Sequence, residues 1–93
     1  MFYVYILRSL SFPDQKYVGF TTDLNKRIVW HNRGLSSHTS KYRPWELLWF
    51  CAFKEKSAAK QFEGYLKTHS GKAFSKKHLI SCSRQATAGK DDS

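Results

Sequence analysis

Tyr5 and Tyr17 each sit in a short β-prone segment, Val4-Tyr5-Ile6 and Tyr17-Val18-Gly19. Two phenols on neighbouring strands of a hairpin can converge on one face. Paired tyrosines are commonly core aromatics with locally satisfied hydroxyls. Gly19 argues for more: two positions after Tyr17, it lies on the same strand face and leaves open space that suits a substrate. A glycine inside a strand also implies close backbone approach or a bulge. Arg27 and His31 are four residues apart, and so share a helix face with Leu24 and Ile28. A guanidinium fork matches phosphate oxygens, and an imidazole can bond a phosphate or carry a proton near neutral pH. A solvated helix face with a snorkelling arginine would carry the same two residues. Glu63 stands beside Phe62 and four positions after Ala59, within or at the edge of an apolar helical stripe. A carboxylate there needs a partner. Lys67 at i+4 offers an ordinary helix pair, whereas one carboxylate with phosphate and water is a normal setting for Mg²⁺. In this order, on a basic chain, the five residues read as a site for phosphodiester hydrolysis.

The elements that must position them follow from the pattern. Residues 2–8 are apolar on both faces and read as a strand buried on both sides. Pro13-Asp14 marks a turn, and residues 16–21 form the second strand of a hairpin. Thr22 suits a helix N-cap, with Asp23 in the first turn; the helix runs to about Asn32, and Gly34 suits the position after its end. A polar loop over 35–44 carries His38, Lys41, Tyr42 and Arg43, and residues 45–53 are a third strand. Ser57 is expected to cap a helix from Ala58 to about Thr68, with Ala59, Phe62 and Leu66 inward. Ser70-Gly71 breaks it, and a short helix covers 72–80 with Phe74 and Leu79 facing in. The order ββαβαα specifies an α+β domain: a small three-stranded antiparallel sheet flanked by three helices. Residues 1–82 are expected to form this domain, and 83–93, small and polar, a disordered tail.

Composition narrows the partners. The chain of 93 residues carries a net charge of +9, which favours polyanions, with nucleic acid (DNA before RNA) the expected one. Lys16, Lys26, Arg33, Lys41, Arg43 and Lys67 are candidate phosphate contacts. Tyr42 or Trp45 could stack on a base, although Trp45 better suits the core. No long apolar run spans a membrane, and the N-terminus reads as a strand, not a signal peptide. Cys51 reads as a buried free thiol, and neither it nor Cys82 belongs to a zinc motif. A cytoplasmic monomer is expected, with room for a protein partner that targets it.

The set as a whole resembles the GIY-YIG endonuclease domain over about residues 2–80, most closely the stand-alone bacterial members, which are similar to the nuclease module of the bacterial repair excinuclease. Val4-Tyr5-Ile6 stands where that family has its first motif and Tyr17-Val18-Gly19 where it has its second; Arg27, His31 and Glu63 match the remaining positions. The resemblance implies a metal-dependent endonuclease, sequence-tolerant and structure-selective, in DNA repair or processing. Glu63 would hold Mg²⁺ (or Mn²⁺), Arg27 would clamp the phosphate, Tyr5 or Tyr17 would act as base, and His31 would orient base or water. Two departures stand out: Val4 replaces the first glycine, and no late asparagine can be placed, Asn25 and Asn32 being the only two. A binding module of the same fold with little or no cleavage is the alternative, and a basic domain for protein partners a third.

Overall fold

The computed structural model of the chain describes residues 1–80. Strands β1 (Phe2–Ser9), β2 (Lys16–Thr21) and β3 (Trp45–Phe53) form one antiparallel sheet in the order β2-β1-β3. Helices α1 (Leu24–Asn32), α2 (Lys56–Leu66) and α3 (His69–Phe74) follow the expected order, and α3 continues into a π-helical segment, Ser75–Ile80. This is the α+β arrangement expected from the pattern.

The central strand explains the layering. Val4, Tyr5, Ile6 and Leu7 are consecutive and none is more than 1% exposed. Alternation sends Val4 and Ile6 to one face, where they pack with Ala59 and Leu66 of α2 and, partly buried, Phe62 and Phe74. Tyr5 and Leu7 go to the other face, against Trp45 and, from α1, Leu24 and Ile28. One sheet thus separates two small cores, with α2 and α3 on one side and α1 on the other. Each fully buried aliphatic side chain contributes roughly 1.5–3 kcal/mol to this packing. The β1–β2 register pairs Tyr5 with Gly19 and Leu7 with Tyr17, so both phenols occupy the α1 face. A register shift between Ile6 and Leu7 interrupts the β1–β3 ladder. Beyond it, Arg8 faces Glu46 and bonds it through Nε at 2.7 Å. Both side chains are about one-third exposed, so this pair adds little stability.

Element ends differ from the sequence expectation. Asp23, not Thr22, caps α1: its Oδ1 accepts from Lys26 N at 3.1 Å. The Thr21 hydroxyl accepts from Asp23 N at 3.1 Å, and this fixes the cap one residue later. Helix α2 starts at Lys56 with Glu55 at the N-cap and no side-chain cap bond, not at Ser57. Burial of Ala59 sets its phase, and Ala59 N bonds Glu55 O at 3.2 Å. The break falls at Lys67–Thr68, not Ser70-Gly71, because Thr68 Oγ1 accepts from Gly71 N at 3.0 Å and starts α3 at His69. Gly71 lies inside α3 for a steric reason: a Cβ there would sit 1.8 Å from the Tyr65 carbonyl oxygen. Gly34 does take the left-handed conformation after α1, with φ +76. Cys51 is half-buried instead of buried, since β3 is an edge strand with most residues partly open. The 1–82 boundary, Cys82 and the 83–93 segment lie outside the described residues.

Gly64, in the exposed middle of α2, has nothing within 4 Å of a Cβ position. Gly64→Ala is therefore expected to stabilise the fold by about 0.5–1 kcal/mol. Gly71→Ala should destabilise it by about 1–3 kcal/mol through overpacking. Urea unfolding of both variants checks the opposite signs.

Candidate active site

The site begins with Tyr5 on β1. A Cβ at the paired Gly19 would lie 2.3 Å from both Cζ and the hydroxyl oxygen of Tyr5. The space beside Gly19 is therefore not open to a substrate, as the sequence suggested; the Tyr5 ring fills it. The alternative reading of that glycine, close approach, is the one the structure supports. With its ring laid across the neighbouring strand, Tyr5 reaches α1, and its hydroxyl lies 2.9 Å from His31 Nε2. His31 Nδ1 lies 2.9 Å from Thr39 Oγ1. Tyr5, His31 and Thr39 are all buried.

Sequence reasoning did not find Thr39. The available signal was His31 itself: a buried imidazole needs partners at both nitrogens. Trp45 Nε1 donates to Thr39 O at 3.0 Å, which anchors the loop carrying Thr39. Asn32, the last residue of α1, clamps the start of β3, receiving Trp45 N at 2.6 Å and donating to Trp45 O at 3.2 Å. Trp45 is core, as the sequence favoured.

Burial pushes the Tyr5 phenol well above its ordinary value; Tyr17 and Glu63 push the same way, and Arg27 opposes them. Burial, assisted by Arg27, pushes His31 down to about 4. At neutral pH both groups are uncharged. The chain is then satisfied with Tyr5 O–H donating to Nε2 and Nδ1–H donating to Thr39 Oγ1, a tautomer assigned from the network. Tyr17 is half-buried, its ring centroid 4.9 Å from that of His31 and 6.3 Å from that of Tyr5. Of the two phenols, it is the one open to solvent. Arg27 stands one turn before His31, its guanidinium carbon 4.7 Å from the centroid of Trp30. This cation–π contact holds a long side chain in place.

Glu63 enters from α2, on the other side of the sheet. Its side chain is 15% exposed, with Lys67 Nζ at 3.1 Å and Lys60 Nζ at 3.9 Å. The Glu–Lys pair expected from the spacing is thus present, and the carboxylate also acts on Tyr5.

A family model described as the GIY-YIG catalytic domain matches residues 1–78. The chain belongs to the GIY-YIG family. It is also similar to UPF0213 proteins of Streptococcus pyogenes. Those of serotype M3 (strain SSI-1) and serotype M1 are each 38% identical over 66 residues, covering 70% of this chain and 70% of theirs. UPF0213 proteins are a stand-alone branch of the family. Membership implies nuclease chemistry in general and a nucleic-acid substrate.

Among the described residues, no group of three or more His, Cys, Asp or Glu side chains could hold a metal alone. For a GIY-YIG nuclease, one carboxylate suffices in principle, because Mg²⁺ keeps waters and takes substrate phosphate oxygens. Glu63 fits that role if Lys67 yields an oxygen. The candidate phosphate-binding residues are dispersed. Lys26 and Arg33 flank a cleft of about 370 Å³ on the outer side of α1, with Trp30 in its lining. Lys41 covers Tyr42, 5.3 Å from its centroid, and Arg43 packs against Gly34. Lys16 opens β2 and is exposed, while Lys67 is committed to Glu63. Among the described residues, no helix is long and apolar enough to cross a membrane.

His31 supplies a pH test. An imidazole held near 4 in the fold and near 6.5 when unfolded binds its proton preferentially in the unfolded chain. Its contribution is complete above pH 6.5 and is lost as pH falls towards 4. At about 1.4 kcal/mol per unit, this amounts to roughly 3 kcal/mol. Urea unfolding between pH 7 and 4 should show that loss, and His31→Gln should flatten the slope.

Proposed function

We propose that the protein is a Mg²⁺-dependent endonuclease, with Mn²⁺ as a substitute. It acts on DNA in preference to RNA, tolerates sequence, selects substrate structure, and serves DNA repair or processing in the cytoplasm. It works as a monomer that a protein partner can place. The observation that carries this reading is the buried Tyr5–His31 pair with Arg27 and Glu63 both acting on it.

Tyr5 and His31 are a positioning pair: both are neutral and buried, so neither meets the attacking water. Tyr17 is the base. Half-buried beside His31, it is the phenol that the attacking water can reach. The water oxygen bonds to phosphorus as the bond to the 3′-oxygen breaks, and Tyr17 takes the water's proton. Arg27 neutralises charge building on the non-bridging oxygens. Glu63 would hold the Mg²⁺, which when bound polarises the phosphate and stabilises the leaving oxygen. Lys16, Lys26, Arg33, Lys41 and Arg43 supply affinity without reading sequence.

The 3.1 Å Lys67–Glu63 pair favours a second reading, a nucleic-acid-binding module in which Glu63 is structural. Cleavage of labelled single strand, duplex, nick, flap and junction, as DNA and RNA, with Mg²⁺ or EDTA, separates the two. Glu63→Ala should abolish cutting and leave binding intact or improved. Arg27→Ala should slow cutting by about 10²–10³ with a modest loss of affinity. Tyr17→Phe should cost more rate than Tyr5→Phe. Full activity in Glu63→Ala would remove the metal assignment, and salt-sensitive binding without cutting would establish the second reading.

A further inference from the structure

We propose that the cleft on the outer face of α1 holds an unpaired nucleotide of the substrate strand, beside the scissile phosphate. This rests on the nuclease reading above and deepens it, because it supplies a feature that selects substrate structure. The cleft measures about 370 Å³, within the range of about 300–1,000 Å³ typical of small-molecule sites. Its apolar lining is open to a ligand: Val29 is 53% and Leu35 62% exposed, and the half-buried Trp30 stands beside them. Lys26 and Arg33 are exposed in the same lining, and among the described residues neither forms an ion pair with an acidic side chain. No acidic residue among those described lines the cleft.

An aromatic ring and aliphatic side chains framed by cations suit a base with its phosphate. The base packs its faces on Trp30, Val29 and Leu35, and the phosphate meets Lys26 and Arg33. The Asn25 amide, also in the lining, can donate to or accept from a base edge of any type. An acidic peptide would meet the same charges, but position favours a nucleic-acid strand. Arg27 and Trp30 are neighbours on α1 at i and i+3, with the guanidinium carbon 4.7 Å from the indole centroid. The Trp30 ring in turn lies 5.0 Å from that of His31. The cleft therefore adjoins the phosphate clamp of the nuclease reading. A strand held at Arg27 by its scissile phosphate would carry its next nucleotide over Trp30 to Lys26 and Arg33. In a continuous duplex each base is covered by its neighbours, so a base reaches a side-chain cleft only when unpaired or turned out of the stack. A flap or junction with an unpaired nucleotide beside the scissile bond is thus preferred to intact duplex.

The test is NMR of the wild-type protein in EDTA, titrated separately with a thymidine hexamer and with an abasic hexamer carrying the same phosphates. The thymidine hexamer should shift the Trp30 indole N–H and the Val29 and Leu35 methyls saturably. It should bind about tenfold more tightly than the abasic one, as expected for a stacked base. Lys26→Gln/Arg33→Gln should weaken both hexamers and lower the slope of log affinity against log salt by about 1.4. Trp30→Ala should erase the thymidine advantage, and Trp30→Phe should restore it. Because Trp30 also seats Arg27, Val29→Gln/Leu35→Gln is the independent check: both positions are exposed, so the fold should be kept while the advantage shrinks. Equal affinity of the two hexamers, unmoved Val29 and Leu35 methyls, or a full thymidine advantage in Trp30→Ala would overturn the proposal. The titration involves no cleavage, so the two readings fail separately. A protein that cuts but shows no thymidine advantage loses this subsite alone; the advantage beside an inactive cleavage panel would remove the nuclease reading and leave the nucleotide site standing.

Discussion

The buried chain Tyr5–His31–Thr39 is the constraint around which the rest of the molecule is arranged. A phenol, an imidazole and a hydroxyl lie together below the reach of water, and each needs the others. Leaving one such group unsatisfied costs about 1–3 kcal/mol, a large fraction of what a domain this small can hold in reserve. The chain therefore dictates local sequence. Gly19 must lack a side chain so that the Tyr5 ring can cross β2. His31 must sit at the inner end of α1, and the loop after it must return Thr39 to Nδ1. Trp45 and Asn32 then tie that loop and the helix end to β3. A polar contact so placed joins β1, α1 and the loop that follows α1.

The same burial divides labour among aromatic groups of similar chemistry. Tyr5 and Tyr17 are both phenols on one sheet face, yet only Tyr17 keeps access to solvent. Burial makes the Tyr5 phenol hold its proton more tightly than a free phenol does. Arg27 and Glu63 act on Tyr5 in opposite senses from opposite sides of the sheet. Lys60 and Lys67 beside Glu63 make a lone carboxylate compatible with an anionic substrate.

Much of this is legible in the residues. The run Val4-Tyr5-Ile6-Leu7 announces a central strand because nothing in it belongs in water, and the two-residue period then assigns each side chain to a face. The order ββαβαα and the meeting of Tyr5, Tyr17, Arg27 and His31 follow. What is not legible depends on distances between residues remote in sequence. Gly19 reads as a vacancy because periodicity gives the face a residue lies on, not what fills it. Thr39 is invisible because a threonine in a polar loop has no pattern of its own. Helix starts are misplaced where two capping residues adjoin, as at Thr22 and Asp23, since a third residue, Thr21, decides between them. Gly71 looks like a breaker because its steric partner lies in the preceding helix.

Val4 stands where the family's first motif begins with glycine, and there it places a branched side chain. That side chain points to the α2 face, fully buried among Ile6, Ala59 and Leu66, while Tyr5 points to the other. A side chain at this position therefore cannot crowd the phenols. It fills core on the side where α2 must be held so that Glu63 reaches its place. Gly19 is the opposite case, because a side chain there would meet the Tyr5 ring directly. The two glycines of the motif pair are thus unequal: the first can be exchanged for packing volume, whereas the second is fixed by the ring lying against it.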